Sequence, residues 1–417
     1  MSRKPRSFRL ACGAGEVPLV EALLAAEGFA FAPELFYAKA RGLTAEPRPL
    51  GDSLAAAFGL IYIQDRSSML PPLILDPPPG AKVLDMCASP GGKTSLLSEA
   101  VGREGFVLGN EPSRDRLATL RANLRRLCAA NAATCSYPGE ELPLPAGSFD
   151  RILLDPPCSG WGTAEKNPKV LAIWQGDKVA PLITLQRRLL AHAARLLAPG
   201  GEVVYSTCTT NPRENAEQVA WARDELGLVP EPLAPPPGFV ADPAGAGLGL
   251  AVDGRASGAQ GFFLARLRAP AGPVPHTPED EFSPPGRPVE ARDLESPEDT
   301  PLAWDNLPRG RLYDFAGRLV LLPTPALSLP QGLRFQGFPL GRVSGRRFRP
   351  DPRLRTLLPA FAPGLGLNLE TPAELSALLS GQSLPRPAGC AGHGLYFRGL
   401  ALGFLVAKGR RLLWSDR

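Results

Sequence analysis

The chain has 417 residues, 44% of them hydrophobic, enough to bury at least one full α/β core and to form two or three domains. It contains no run of about 18 apolar residues, and its N-terminus "MSRKPRSFRLACGAGEV" lacks the apolar centre of a secretory signal, so a cytoplasmic protein with no membrane partner is expected. Seven cysteines with no repeated spacing, no CxxC pair and no Cys/His cluster argue against both a disulfide framework and a metal centre.

Forty-eight prolines and 44 glycines imply many loops. The net charge of +5 is unevenly placed: from Trp304 onward there are 16 Lys/Arg against 6 Asp/Glu, whereas residues 271–303 hold 2 against 8. This contrast predicts a polyanion-binding module joined to a nearly neutral body.

In chain order, residues 1–70 predict a small, mainly helical N-terminal unit, because "GEVPLVEALLAAEGF" places Val17, Val20, Leu23 and Leu24 at helical spacing. Residues 71–269 alternate strand and helix patterns: "KVLDM", "GFVLGNE", "NAATCS", "RILLD" and "EVVYST" as strands, and "GGKTSLLSEAV", "SRDRLATLRANLRRL" and "KVAPLITLQRRLLAHAARLLAPGG" as helices. "GFFLARLR" reads as a closing strand. Such alternation predicts an α/β fold, a parallel sheet with helices on both faces. Residues 270–302 are acidic and proline-rich, expected as a mobile linker. Residues 303–417 alternate apolar and polar positions between glycine turns and predict a basic, β-rich domain.

"VLDMCASPGGKTSLL" puts a glycine-rich turn between a buried strand and a helix, where open α/β sheets bind ligands. With Gly92 and Lys93 in register, the first glycine of a phosphate-binding P-loop falls on Cys87, so that reading fails, and no G-x-G-x-x-G is present. S-adenosylmethionine, held at the same place on a related sheet, is the second ligand reading, and a purely structural strand-to-helix turn stays open beside it. Glu111, about twenty residues past the glycines, suits the hydroxyls of a ribose.

Two further strands end in reactive residues. "RILLDPPCSGWGT" delivers Asp155 and Cys158, and "VVYSTCTTNPREN" delivers Cys208, into one cleft beside the glycine turn. With "DMCASPGGKT", "LLDPPCSGWGT" and "YSTCTTNPREN" in this order, the chain resembles the Nop/Sun family of RNA cytosine-5 methyltransferases over roughly Gly59 to Arg268.

The resemblance implies a Rossmann-like class I methyltransferase sheet, S-adenosylmethionine as cofactor and RNA as partner. It assigns nucleophilic attack on cytosine C6 to Cys208, proton removal and release to Cys158, and neutralisation of charge near N3 to Asp155. It maps the cofactor site onto Cys87, Ala88, Ser89, Pro90, Gly91, Gly92 and Lys93, with Glu111 and Asp155. Many family members carry an Asp on the adenine side, where this chain has Pro138, so a backbone group is expected there. Asn211, Pro212 and Glu214 read as N-cap, N1 and N3 of a helix whose positive end would help ionise Cys208. Lys166, Asn167 and Trp161 are weaker candidates for RNA contact, and His192 reads as structural.

The basic C-terminal region resembles the PUA-like extension of bacterial members that modify 16S ribosomal RNA. This implies that 16S rRNA or the small ribosomal subunit is the substrate, ahead of transfer RNA; a non-enzymatic RNA-binding ribosome-assembly protein is the alternative of another class, and the two strand-end cysteines argue against it. Arg346, Arg347, Arg349, Arg410 and Arg411 are the candidate phosphate contacts. The unit 1–70 is expected to assist RNA binding, and the protein is expected to act as a monomer.

Overall fold

The computed structural model describes residues 6–243, 248–272, 284–296 and 300–416. At its centre lies an open twisted sheet. β5 (Lys82–Asp85), β6 (Phe106–Asn110), β7 (Ala132–Cys135), β8 (Phe149–Leu154) and β9 (Leu197–Thr207) run parallel in the order β9-β8-β5-β6-β7. β12 (Phe262–Arg268) adds antiparallel to β9, and the short β10 (Val229–Glu231) and β11 (Leu250–Val252) pair with β12. The chain leaves β5 toward β6 and β7 on one side and returns to β8 and β9 on the other. β5 and β8 therefore flank a topological switch point, where such sheets form a crevice.

Alternating side chains build a core on each face. Leu84, Leu108, Ile152, Leu154, Val203 and Tyr205 pack with α7 (Ala180–Leu196) and α8 (Ala216–Leu226). Val83, Val107, Leu153, Val204 and Leu264 pack with α3 (Arg66–Leu75), α4 (Gly92–Val101) and α5 (Arg114–Arg126). Both runs of positions are buried because helices cover both faces, which is why these strands read as nearly continuous apolar segments. No helix among the described residues is long and apolar enough to cross a membrane.

The N-terminal unit corrects the sequence reading. It is built on a four-stranded antiparallel sheet, ordered β2-β3-β1-β4, of β1 (Ser7–Leu10), β2 (Ala30–Pro33), β3 (Ala40–Ala45) and β4 (Ile61–Ile63). The helices α1 (Val17–Ala26) and α2 (Leu54–Ala57) pack on that sheet. The strands are short, and β2 and β3 consist largely of Ala, Gly and Pro, residues of low strand preference. What stabilises them lies far along the chain: Phe8, Leu10, Leu43 and Ile61 share one apolar cluster with Leu367, Leu369, Leu395, Phe397 and Leu412.

Part of the expected linker is also structured. β13 (Arg287–Val289) is the first strand of an antiparallel sheet with β14 (Gly310–Phe315), β15 (Arg318–Pro323), β17 (Phe338–Ser344) and β18 (Arg347–Pro350). β16 (Phe335–Gln336) leaves that sheet and pairs with β7, extending the central sheet. Two three-stranded sheets between Gly366 and Leu413 and helix α9 (Pro372–Leu379) complete the β-rich C-terminal region. Residues 273–283 and 297–299 of the linker lie outside the described residues.

Candidate active site

The parallel strands deliver five segments to one edge. The β5–α4 loop carries Cys87 to Gly91, and Gly91 takes φ 105°, a left-handed value suited to glycine. A Cβ there would stand 3.0 Å from Leu120, and one on Gly92 would stand 2.5 Å from the Tyr62 ring, so these two positions favour glycine for steric reasons. Asp85, at the end of β5, is fully buried. Its Oδ2 accepts from Thr94 Oγ1 at 2.7 Å, while Oδ1 is buried with no partner among the described residues. Burial is the main cause that pushes the Asp85 carboxyl up to about 6, with the Asp155 charge adding to it.

Glu111 follows β6 and is buried. Its carboxylate accepts from Ser113 N at 2.9 Å and pairs with Arg116 at 3.3 Å. Asn110, which sequence reasoning passed over, bridges the strands: its Nδ2 donates to Met86 O at 3.2 Å and Tyr137 O at 3.0 Å, and its Oδ1 accepts from Tyr137 N at 3.0 Å. The segment before Pro138 is thereby fixed by the Asn110 side chain through the backbone N–H and C=O of Tyr137.

Asp155 emerges after β8. Its Oδ2 accepts from Lys93 Nζ at 2.5 Å and its Oδ1 from Ser206 Oγ at 2.9 Å. Burial alone would lower the Lys93 ammonium. The charge and hydrogen bond of Asp155, with Asp85 and Cys208 beyond, carry it above its ordinary value instead.

Cys158 and Cys208 meet with their Sγ atoms 3.4 Å apart. The hydrogen bond from Cys158 holds the Cys208 thiol below its ordinary value, with help from the Lys93 charge and against burial and Asp155. The same contact, with burial, pushes Cys158 well above its own. The contact therefore favours the proton on Cys158 and makes Cys208 the more readily ionised of the two thiols, the thiolate being the reactive form of cysteine.

The helix expected at Asn211 is a single 3-10 turn, Pro212–Glu214, and α8 begins only at Ala216. Asn211 does cap that turn, its Oδ1 accepting from Arg213 N at 3.2 Å. Glu214 does not reach back to cap it. Its wholly buried carboxylate accepts from Ser159 N at 2.9 Å, Gln186 Nε2 at 3.0 Å, Asn211 Nδ2 at 3.0 Å and the Ser159 hydroxyl. Glu214 thus ties the Cys158 loop to the Cys208 loop. Gly162 N donates to Cys208 O at 3.0 Å and closes the same junction. The cue in the sequence was a glutamate flanked by asparagines; nothing local showed that its partners were Ser159 and Gln186.

The weaker candidates separate. Lys166 pairs with Asp65 at 2.9 Å, and Asn167 is exposed. Trp161 is half-buried, and its indole Nε1 has no partner among the described residues. His192 is held by Leu142 O at 3.1 Å, away from the strand ends. The five arginines of the basic tail lie on two different sheets: Arg346, Arg347 and Arg349 at the β17–β18 hairpin, and Arg410 and Arg411 at the Val406–Lys408/Arg411–Leu413 hairpin. Arg346 pairs with Glu295 at 3.4 Å, and Arg411 donates to Ser383 Oγ at 2.6 Å.

Comparison with known proteins places this geometry. A family model described as 16S rRNA methyltransferase RsmB/F matches residues 72–268. Ribosomal RNA small subunit methyltransferase F of Salmonella agona (strain SL483) is 39% identical over 243 residues, covering 55% of this chain and 50% of that protein. The protein of the same name from Salmonella heidelberg (strain SL476) is 34% identical over 351 residues, covering 79% of this chain and 71% of the relative. The chain thus spans from half to about seven tenths of the curated relatives it matches. Among solved structures, a methyltransferase homolog protein from Pyrococcus horikoshii is 34% identical, covers 64% of this chain and 87% of its own, and superposes with a TM-score of 0.55.

Proposed function

Because the chain belongs to the 16S rRNA methyltransferase RsmB/F family, we propose that it methylates C5 of a cytosine in RNA, and that this RNA is small-subunit ribosomal RNA. The observation that carries the reading is the 3.4 Å contact of Cys158 and Cys208 beside the Lys93–Asp155 pair.

The residues present suit S-adenosylmethionine, which supplies the methyl group. The turn Cys87–Gly92, which ends in two glycines, offers its backbone to a ligand, Glu111 offers a carboxylate to a ribose, and the unpartnered Asp85 Oδ1 and the Asp155 carboxylate offer negative charge to a cationic ligand.

C5 of cytosine is too electron-poor to attack a methyl donor. The Cys208 thiolate adds to C6, forming an S–C bond and shifting electron density to C5. Asp155 meets the negative charge that develops at N3 as an acid, sharing a proton with the base while Lys93 stays bonded to its Oδ2. Once Cys208 is bonded to carbon its negative charge is gone, and with it a main cause of the high Cys158 value. Cys158, which is only partly buried, is then able to give its proton to solvent and, as thiolate, accept the one released from C5. The C5–H electrons restore the C5=C6 bond, and Cys208 leaves as thiolate, stabilised again by a Cys158 S–H.

Two alanine variants test this on small-subunit RNA and on transfer RNA. Cys208→Ala is expected to abolish methyl transfer, and Cys158→Ala to accumulate an RNA adduct that survives denaturing electrophoresis. Transfer that persists without Cys208 would remove it as nucleophile. Methylation of transfer RNA alone would overturn the substrate.

A further inference from the structure

Three strands of the C-terminal sheet line up arginines, and a fourth ends the row with a phenylalanine. Phe315 of β14 stands opposite Arg318 of β15, Arg318 opposite Arg342 of β17, and Arg342 opposite Arg349 of β18. Residues directly opposite in a sheet project to the same side, and adjacent strands are about 4.8 Å apart, so three guanidinium groups form one rung. All three arginines are exposed, and none forms an ion pair among the described residues.

Like charges placed opposite one another destabilise a sheet unless something compensates them. The neighbouring acids do not. Asp351 accepts from Arg125 at 2.5 Å, Asp416 is bound by Arg125 and Arg353, and Asp314 caps the Gly317 turn at 2.7 Å. The rung lines a cavity of about 1060 Å³ between this sheet and the Phe404–Ala407 segment. At the other end it reaches the catalytic sheet: β16, whose Gln336 also lines the cavity, pairs with β7. Arg121 of α5, which donates to Thr134 Oγ1 of β7 at 2.9 Å, is held below its ordinary value by burial and additionally by Arg318.

We propose that the Arg318–Arg342–Arg349 rung binds consecutive phosphates of the RNA substrate, with the half-buried Phe315 ring closing the row. The choice of RNA rests on the reading of function above. A lipid surface fits less well, because the exposed large hydrophobic residues, Leu35, Ile63, Leu171, Ile173, Val229 and Val240, all lie outside the C-terminal region. The rung replaces much of the sequence expectation for this region: it retains Arg349, adds Arg318 and Arg342, and omits Arg346 and Arg411, which bond within the chain.

The test uses the full chain and the triple variant Arg318→Gln/Arg342→Gln/Arg349→Gln, with a single-stranded fragment of small-subunit RNA as probe. Affinity is measured by fluorescence anisotropy across a salt series. Each lost phosphate contact lowers the slope of log K against log salt by about 0.7, so the triple variant is expected to lose a slope of about 2 and to bind roughly tenfold or more weakly at moderate salt. Its melting temperature at low salt is expected to equal or exceed that of the wild type, because the repulsion is relieved. An unchanged slope would overturn the rung, as would loss of binding to phosphatidylserine vesicles without any change toward RNA. Wild-type binding with this slope but no methyl transfer would leave the rung standing and overturn the methyltransferase reading; methylation with an unchanged slope in the variant would do the reverse.

Discussion

Cys158 and Cys208 stand 3.4 Å apart with their thiols shifted in opposite directions, Cys208 down and Cys158 up. The largest cause on both sides is the hydrogen bond between them, which lowers Cys208 and raises Cys158, and the Lys93 charge adds to the lowering of Cys208. Alkylation of Cys208 by iodoacetamide, followed against pH, is expected to show a midpoint below that of an ordinary thiol. In Cys158→Ala the donor is lost, and in Lys93→Met the cation; either change is expected to move the midpoint to higher pH. A midpoint unmoved in both variants would mean that neither group sets the ionisation.

Glu214 accepts two donors on each carboxylate oxygen in a site closed to water. Glu214→Gln places an amide N–H₂ against two of them. Buried hydrogen bonds to a charged group are expensive to break, and a loss of about 2 to 4 kcal/mol is expected from urea denaturation. Cys208 alkylation and methyl transfer should both fall with it, since Ser159 follows Cys158 directly.

Asp85 links stability to pH. Its folded value of about 6 lies above the ordinary carboxyl value, so the folded state binds the extra proton between roughly pH 4 and 6. Its contribution to stability is therefore present below that window and is lost as pH rises through 6. Asp85→Asn retains an acceptor for Thr94 and removes the buried charge. The variant is expected to gain about 2 kcal/mol over the wild type at pH 8 and little at pH 4, read from urea midpoints at the two pH values. If Asp85 meets the cofactor, S-adenosylmethionine affinity, measured by calorimetry, falls in the same variant.

Gly162 sits where a Cβ would come 2.0 Å from Gly261 O and 2.8 Å from Cys208 O. Backbone on both sides leaves no room to yield. Gly162→Ala is expected to part the two cysteine loops, lowering the melting temperature and abolishing RNA adduct formation. A variant of wild-type stability and activity would show that the junction is not required.

The central sheet was legible because its signals are local. "KVLDM", "RILLD" and "EVVYST" are short apolar runs ended by Pro, Gly or small polar residues, and each strand end carries its reactive group directly: Asp85, Asp155, Cys208. The N-terminal strands were not legible, because Ala30–Pro33 and Ala40–Ala45 have weak strand preference and part of the apolar cluster they join lies more than three hundred residues away. Cys208 and Cys158 were visible as candidates; for Cys208 activation a helix end at Asn211 and the cationic cofactor were expected, whereas Asn211 starts only a 3-10 turn and a neighbouring thiol and Lys93 stand beside Cys208.

The order of motifs along the chain thus determined the sheet, the glycine turn and which residues carry chemistry, because strand periodicity and turn residues act between near neighbours. Only the tertiary structure decided how those residues act on one another. The ionisation of Cys208, the carboxylate clamp of Glu214 and the row of Arg318, Arg342 and Arg349 each depend on side chains brought together from separate strands, and both Coulomb forces and hydrogen bonds depend on distance in space, not on distance along the chain.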